Sequence, residues 1–171
     1  MNKTENVMKQ IRIEKVTLNL GVGEAGPKLE KAKSLLEAIT KTKAVKTKAK
    51  KRIPTWNLRP KLEIACKSTI RGEKAELMLK SLFQALNNEL PESKFDDNGN
   101  FSFGIKEYID IPKVEYIPEI GIIGLEVAVT LERPGFRIKK RIKKNKLGRK
   151  HKITKGEAIE FIKNKFNIKI K

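Results

Sequence analysis

Gly21 to Gly26 reads GVGEAG, the G-x-G-x-x-G spacing with which a strand-to-helix turn can cradle a dinucleotide pyrophosphate. That chemistry also needs a strand buried on both faces and an acidic residue about 20 positions on to take the ribose hydroxyl. Residues 38–62 hold no Asp or Glu, and Pro27 removes a backbone donor near the start of the helix that would face the pyrophosphate. A tight turn accounts for the glycines better, with a NAD-dependent enzyme kept as the alternative from another class. No nucleophile and base pair suggests itself. Cys66 is the one cysteine and falls on an apolar strand face, while His151 is the one histidine and stands in a Lys/Arg run, where it is a phosphate contact or a surface residue. One Cys and one His cannot build a zinc cage or an intramolecular disulfide, so neither metal nor cofactor is expected.

The plentiful chemistry is cationic. Lys and Arg number 39 against 20 Asp and Glu, for a formal charge of +19 and a pI near 10.0. A chain so charged repels itself when compact and is expected beside a polyanion, nucleic acid first. Two runs concentrate the charge without any acid. Lys46 to Lys61, KTKAKKRIPTWNLRPK, places seven Lys or Arg in sixteen residues around the one Trp, Trp56. Arg133 to Lys155 carries twelve, interrupted by Ile138, Ile142 and Leu147, so part of it is anchored. An anionic membrane is disfavoured: no apolar run approaches the roughly 18 residues of a spanning helix, and MNKTENVMKQ lacks the apolar core of a signal peptide. The cytosol is the expected compartment.

These residues need elements to position them. From Ile11, Val16, Leu18, Leu20 and Val22 alternate with Lys15, Thr17, Asn19 and Gly21, which predicts a strand with one polar face. Leu29, Ala32, Leu35, Leu36 and Ile39 predict a helix over about 28–40. A second strand puts Leu62, Ile64, Cys66 and Ile70 inward, with Glu63, Lys67, Thr69 and Arg71 outward. A second helix over about 73–89 carries Leu77, Met78, Ser81, Leu82, Ala85 and Leu86 on its inner face. Strands follow at Phe101, Phe103, Ile105 and at Leu125, Val127, Val129, Leu131. Thr154 and Glu157 have capping-box spacing before a last helix with Ala158, Ile159, Ile162 and Phe166 inward. The order predicts one α+β domain over 1–171, with a flexible tail at 1–9, a projecting basic loop at 43–61 and a basic segment at 133–155.

If the first two strands share a sheet, Lys15, Thr17 and Asn19 lie on one side with Lys67, Thr69 and Arg71. Such a face is either plain solvated surface or a platform of hydroxyls, an amide and cations for ribose and phosphate. It lacks stacking aromatics, which points to the shape of folded RNA rather than to single strands. Trp56, held between Pro54 and Pro60, offers a flat surface to a base or ribose, or closes over the domain edge.

Taken in order, KVTLNLGVGEA at 15–25, TKAKK at 47–51, STIRGEKA at 68–75, GNFSFGIKE at 99–107 and LERPGFRI at 131–138, with GRKH and ITK beyond, resemble the family of large-subunit ribosomal proteins that bind 5S ribosomal RNA, ribosomal protein L5, in its archaeal and eukaryotic form. The resemblance runs from about Ile11 to Phe166. It implies a curved, mainly antiparallel sheet with helices packed on one side and a long basic loop between the first helix and the second strand. It implies a non-enzymatic, cytoplasmic protein of the ribosome's central protuberance that is not an obligate homo-oligomer. Its 5S rRNA contacts would be Lys15, Asn19, Thr47, Lys67, Thr69 and Arg71, which Thr17 joins from the polar face. The loop, with Lys48, Lys50, Lys51, Arg52, Trp56 and Arg59, would reach P-site tRNA. Arg137, Lys139, Lys140, Arg141, Arg149 and His151 would add phosphate contacts. Further partners are 23S-type rRNA, other proteins of the central protuberance and a protein of the small-subunit head. LPESKFDDNGN stands where bacterial members carry an Arg-rich motif, and RIPTWNLRP replaces a Gly-rich loop tip, so the tRNA contacts stay open. A general double-stranded nucleic-acid binder is the alternative within the same class.

Overall fold

Alternation builds the sheet and helical spacing covers it. The computed structural model describes residues 6–112, 114–118 and 120–171. In chain order the elements are β1 (Arg12–Gly21), α1 (Pro27–Thr40), β2 (Val45–Lys48), β3 (Glu63–Ile70), α2 (Glu73–Gln84), β4 (Glu89–Leu90), β5 (Phe101–Ile105), β6 (Leu125–Glu132), α3 (Lys155–Phe166) and β7 (Lys169–Ile170). Five strands form an antiparallel sheet in the order β2-β3-β1-β6-β5, and β4 pairs with β7 in parallel. The result is an α+β fold with a mainly antiparallel sheet, as expected.

Val16, Leu18 and Leu20 of β1, Cys66 and Ile70 of β3, and Leu125, Val127, Val129 and Leu131 of β6 are buried on one sheet face. On them rest Leu29, Leu35 and Leu36 of α1, Leu79, Leu82 and Phe83 of α2, and Ala158 and Ile162 of α3, in one continuous core. Phe83 lies within 6.2 Å of Phe101 and 5.6 Å of Phe103 and meets Phe166 edge-on at 5.4 Å, which joins α2, β5 and α3. Thr154 caps α3: its hydroxyl accepts from the Glu157 N–H, and the Glu157 carboxylate accepts from the Thr154 N–H, as the spacing predicts.

Two expectations are corrected, for α2 and for the stretch after α1. α2 ends at Gln84 rather than near 89, because Asn87 and Asn88 adopt left-handed backbone at φ 55° and 57° and turn the chain into β4. Its buried stripe is Ala75, Leu79, Leu82 and Phe83, while Leu77 is 64% exposed. Leu77 sits two residues from both Ala75 and Leu79, hence on the opposite side of a 3.6-residue turn. The basic stretch after α1 opens with a strand: β2 pairs with β3, Val45 opposite Lys67 and Thr47 opposite Ala65, so Thr47 and Lys48 belong to the sheet edge. Of the tail expected at 1–9, residues 1–5 lie outside the described residues, and Val7–Lys9 form a 3-10 turn capped by the Asn6 side chain.

Candidate nucleic-acid interface

Pairing of β1 with β3 sets the polar face in register. Thr17 is opposite Thr69 and Asn19 opposite Lys67, with Lys15 and Arg71 just beyond at the same end. The six residues expected to share a face do share it. On the other flank, β6 sets Thr130 opposite Lys15, Ala128 opposite Thr17 and Glu126 opposite Asn19, and β5 adds Ser102 and Gly104. The middle of the face is therefore a row of small side chains, Thr69, Thr17, Ala128 and Ser102, with Lys15 and Arg71 on one side of it and Lys67 on the other. Ala128, Ser102 and Gly104 were not singled out from sequence. The alternation of LEVAVTLE that buries Leu125 and Val127 carried the signal for Ala128, since its even positions must face outward.

Two carboxylates organise the cations at one end of this face. A shift of register between Ile13 and Lys15 makes a bulge on β1 that turns out an extra residue, Glu14. Its side chain is only 8% exposed and takes Lys140 at 2.7 Å, Arg71 at 3.5 Å and Lys15 at 3.9 Å. Glu132 takes Arg12 at 2.8 Å and Lys140 at 3.6 Å. Burial alone would push the Glu14 carboxyl up, but the hydrogen bond and charge of Lys140, with Lys15 and Arg71, hold it below the ordinary carboxylate value. The basic segment is thereby tied to the sheet, and the two expected contact regions form one surface. Near the centre Asn19 donates to Glu126 at 3.1 Å.

The loop between β2 and β3 is an ordered projection. Ile53 and Leu58 exchange backbone hydrogen bonds at 3.0 and 3.1 Å across a 3-10 turn, Pro54–Trp56, that Asn57 closes in left-handed backbone. Leu58 is buried and anchors the return, whereas Trp56 is 70% exposed at the tip rather than folded over the domain edge. Lys50, Lys51, Arg52 and Arg59 are exposed, with no carboxylate partner among the described residues. Lys48 lies 3.8 Å from Glu63.

In the segment after β6, Arg133 is buried; it donates to the Lys152 carbonyl at 3.2 Å and pairs with Glu157 at 2.8 Å. Arg137, Lys139, Arg141 and Arg149 are exposed, and Lys139 lies 4.7 Å over the Phe136 ring. His151 is half-buried. Its Nε2 donates to the Pro134 carbonyl at 2.9 Å and its ring meets Phe136 edge-on, so its first role is to hold the segment in place.

The glycine turn holds no dinucleotide geometry. β1, which precedes it, is central in an antiparallel sheet, and the Val22 and Gly23 N–H groups both donate to the Ile64 carbonyl. Gly26 at φ 138° serves only the entry into α1. Cys66 is buried, and burial pushes its thiol up, away from nucleophilic use. Among the described residues no group of three His, Cys, Asp or Glu side chains could hold a metal ion, and no helix is long and apolar enough to cross a membrane.

The model of the family described as ribosomal protein L5 matches residues 6–59, and the model of the same family's C-terminus matches residues 63–161. The chain belongs to the ribosomal protein L5 family. The large ribosomal subunit protein uL5 of Nanoarchaeum equitans is 51% identical over 168 residues, which cover 97% of this chain and 99% of the relative. Those of Methanosphaera stadtmanae and Sulfolobus acidocaldarius are each 46% identical, covering 96% and 98% of this chain and 99% and 95% of theirs. All three sources are archaeal, in keeping with the branch that LPESKFDDNGN points to. The two family models meet between residues 59 and 63, in the short return from the projecting loop to β3.

Proposed function

We propose that this chain, a structural and non-enzymatic constituent of the large ribosomal subunit, grips 5S rRNA with its open sheet face. The observation that carries the reading is the in-register floor of Thr17, Thr69 and Ala128, rimmed by Lys15, Lys67 and Arg71. A-form RNA offers a wide, shallow minor groove lined with 2′-hydroxyls, and a flat floor of small side chains lets those hydroxyls approach while the rim meets phosphates. Thr47 and Asn19 extend the floor at one end. The Glu14 clamp brings Lys140, with Arg137, Lys139, Arg141 and Arg149 nearby in the same segment, onto the same side, where 5S or 23S-type rRNA supplies phosphates.

The projecting loop has a different task. Trp56, Lys50, Lys51, Arg52 and Arg59 stand on a hydrogen-bonded projection beyond the β2–β3 edge, which suits contact with P-site tRNA. Ile109, Tyr116 and Ile122 are exposed apolar residues between β5 and β6 and suit protein neighbours, in the central protuberance or across to the small-subunit head.

Gel shift with 5S rRNA against an unrelated hairpin of equal length, at about 0.15 M salt, tests the central claim. Thr69→Ala with Arg71→Ala should weaken 5S binding about tenfold or more, roughly 1.4 kcal/mol, and leave hairpin binding nearly unchanged. Equal affinity of the unaltered protein for both RNAs would favour a general double-stranded binder instead.

A further inference from the structure

A cleft of about 650 Å³ opens where the end of β6, the turn before β5 and the basic segment meet, away from the open sheet face. Its size lies in the range of small-ligand sites, roughly 300–1,000 Å³. The floor is apolar and fixed: Leu131, Phe136 and Ile153 are all buried, and Leu147 closes one side. Three carboxamides line it, Asn98, Asn100 and Asn145, together with four cations, Lys139, Lys146, Arg149 and Lys152, and no carboxylate. The nearby Asp96 is engaged elsewhere. Its carboxylate accepts from the Asn98 and Asn100 N–H groups at 3.0 and 2.7 Å and from the Asn100 side chain at 3.0 Å, which holds the turn in shape.

The wall is built for close approach. A Cβ on Gly99 would lie 2.5 Å from Cγ2 of Ile153, and the residue adopts φ 77°, so only glycine lets the Asn98–Asn100 turn seat against the floor. Asn100 is held on both sides, with its Oδ1 accepting from the Leu131 N–H at 3.3 Å. Asn98 and Asn145 are exposed, and no partner engages their side chains among the described residues. An apolar floor gives a bare hydrated phosphate no partner below the rim of cations. Free carboxamides offer paired donors and acceptors to a planar heterocycle edge, and the cations around them favour an anion beside it.

We propose that this cleft receives a single unstacked nucleotide, its base over Leu131, Phe136 and Leu147 with the edge read by Asn98 and Asn145, and its phosphate on Lys146, Arg149 and Lys152. The nucleotide is presented by ribosomal RNA, whose loops and bulges splay such bases out. A free nucleoside monophosphate shares this chemistry and serves as the probe. Only the RNA part of the proposal rests on the reading of the chain as an rRNA binder.

Amide chemical-shift titrations of the full chain at about 0.15 M salt should show adenosine 5′-monophosphate saturating shifts at Asn98, Asn145 and Leu147. Ribose 5-phosphate and inorganic phosphate should bind at least tenfold more weakly. Equal binding by all three, or shifts confined to the sheet face, would overturn the cleft as a nucleotide site. Asn98→Ala with Asn145→Ala, both exposed and without side-chain partners among the described residues, should abolish the nucleotide shifts without lowering the melting temperature, and retained shifts would count against the assignment. Adding 5S rRNA or a large-subunit rRNA transcript should displace the bound monophosphate; continued occupancy with both RNAs bound would overturn RNA as the source. Thr69→Ala with Arg71→Ala should leave the monophosphate shifts intact, so failure of the sheet reading and failure of the cleft are separable.

Discussion

At the scale of the residue, Glu14 explains how a chain of charge +19 keeps its cations in order. A carboxylate beside an RNA-facing surface repels phosphate, yet this one is screened by Lys140, Arg71 and Lys15 and fixes all three. Its lowered pKa means that the clamp stabilises the fold above the carboxyl's unfolded value and is lost as pH falls through the folded one, below the ordinary 4.5. Glu14→Gln should therefore cost about 1 kcal/mol at pH 7, in the range of a partly exposed ion network, and the deficit should shrink at an acid pH below the carboxyl's lowered value. Urea unfolding at the two pH values measures it; an equal deficit at both would assign the loss to packing instead. Ala128 makes the complementary case, because its value lies in what it lacks. Ala128→Phe should leave the melting temperature within a degree or two, since the side chain is exposed, and weaken 5S binding by about tenfold by lifting RNA off the floor. Unchanged affinity would mean that the floor does not meet the RNA.

At the scale of the element, the projecting loop carries the sharpest separation of fold from function. Leu58 is buried and Trp56 exposed, two residues apart on the same small hairpin. Trp56→Ala should preserve stability and 5S binding while lowering affinity of assembled subunits for P-site tRNA several-fold. Leu58→Ala should loosen the whole projection, and hydrogen exchange should then rise at Ile53 and Leu58. An unchanged tRNA affinity with Trp56→Ala would remove the tip from the account. The same loop shows what sequence could and could not tell. β1, β3 and β6 are legible because each buries one face and alternates over most of its length, and α3 because Thr154 and Glu157 satisfy its first N–H groups reciprocally. β2 was not, since VKTK at a sheet edge buries almost nothing and its residues read as a charged loop until β3 supplies the hydrogen bonds. On α2 the expected stripe holds at Leu82 and, half-buried, at Met78, Ala85 and Leu86, but not at Leu77: Leu77 and Leu79 are equally apolar, and only the position of the sheet decides which one faces it. Within the site, cation-bearing positions announced themselves by charge, whereas Ala128, Ser102 and Gly104 matter through smallness and become meaningful only when register sets them beside Thr17.

At the scale of the whole molecule, positive charge and shape make separable contributions to the same complex. In the proposed complex, cations on the rim, the loop and the segment after β6 would add affinity that any phosphate backbone can collect, whereas the small-residue floor would add fit that only one RNA surface can use. Salt distinguishes them. Each phosphate contact contributes about 0.7 to 0.9 to the slope of log affinity against log salt, depending on the RNA's charge density. Replacing Arg137, Lys139 and Arg141 together with Gln should flatten the slope for 5S rRNA by about 2 to 3 and weaken the unrelated hairpin in parallel, because exposed side chains with no carboxylate partner meet phosphate without regard to sequence. Ala128→Phe should do the reverse, leaving the slope within about 0.5 while collapsing the preference for 5S rRNA. Filter binding between roughly 0.05 and 0.3 M salt with both RNAs reads slope and preference in one experiment. If the triple variant lost preference and kept its slope, the segment would be reading RNA structure and the sheet merely supplying charge, and the division of labour drawn from the register of β1, β3 and β6 would have to be inverted.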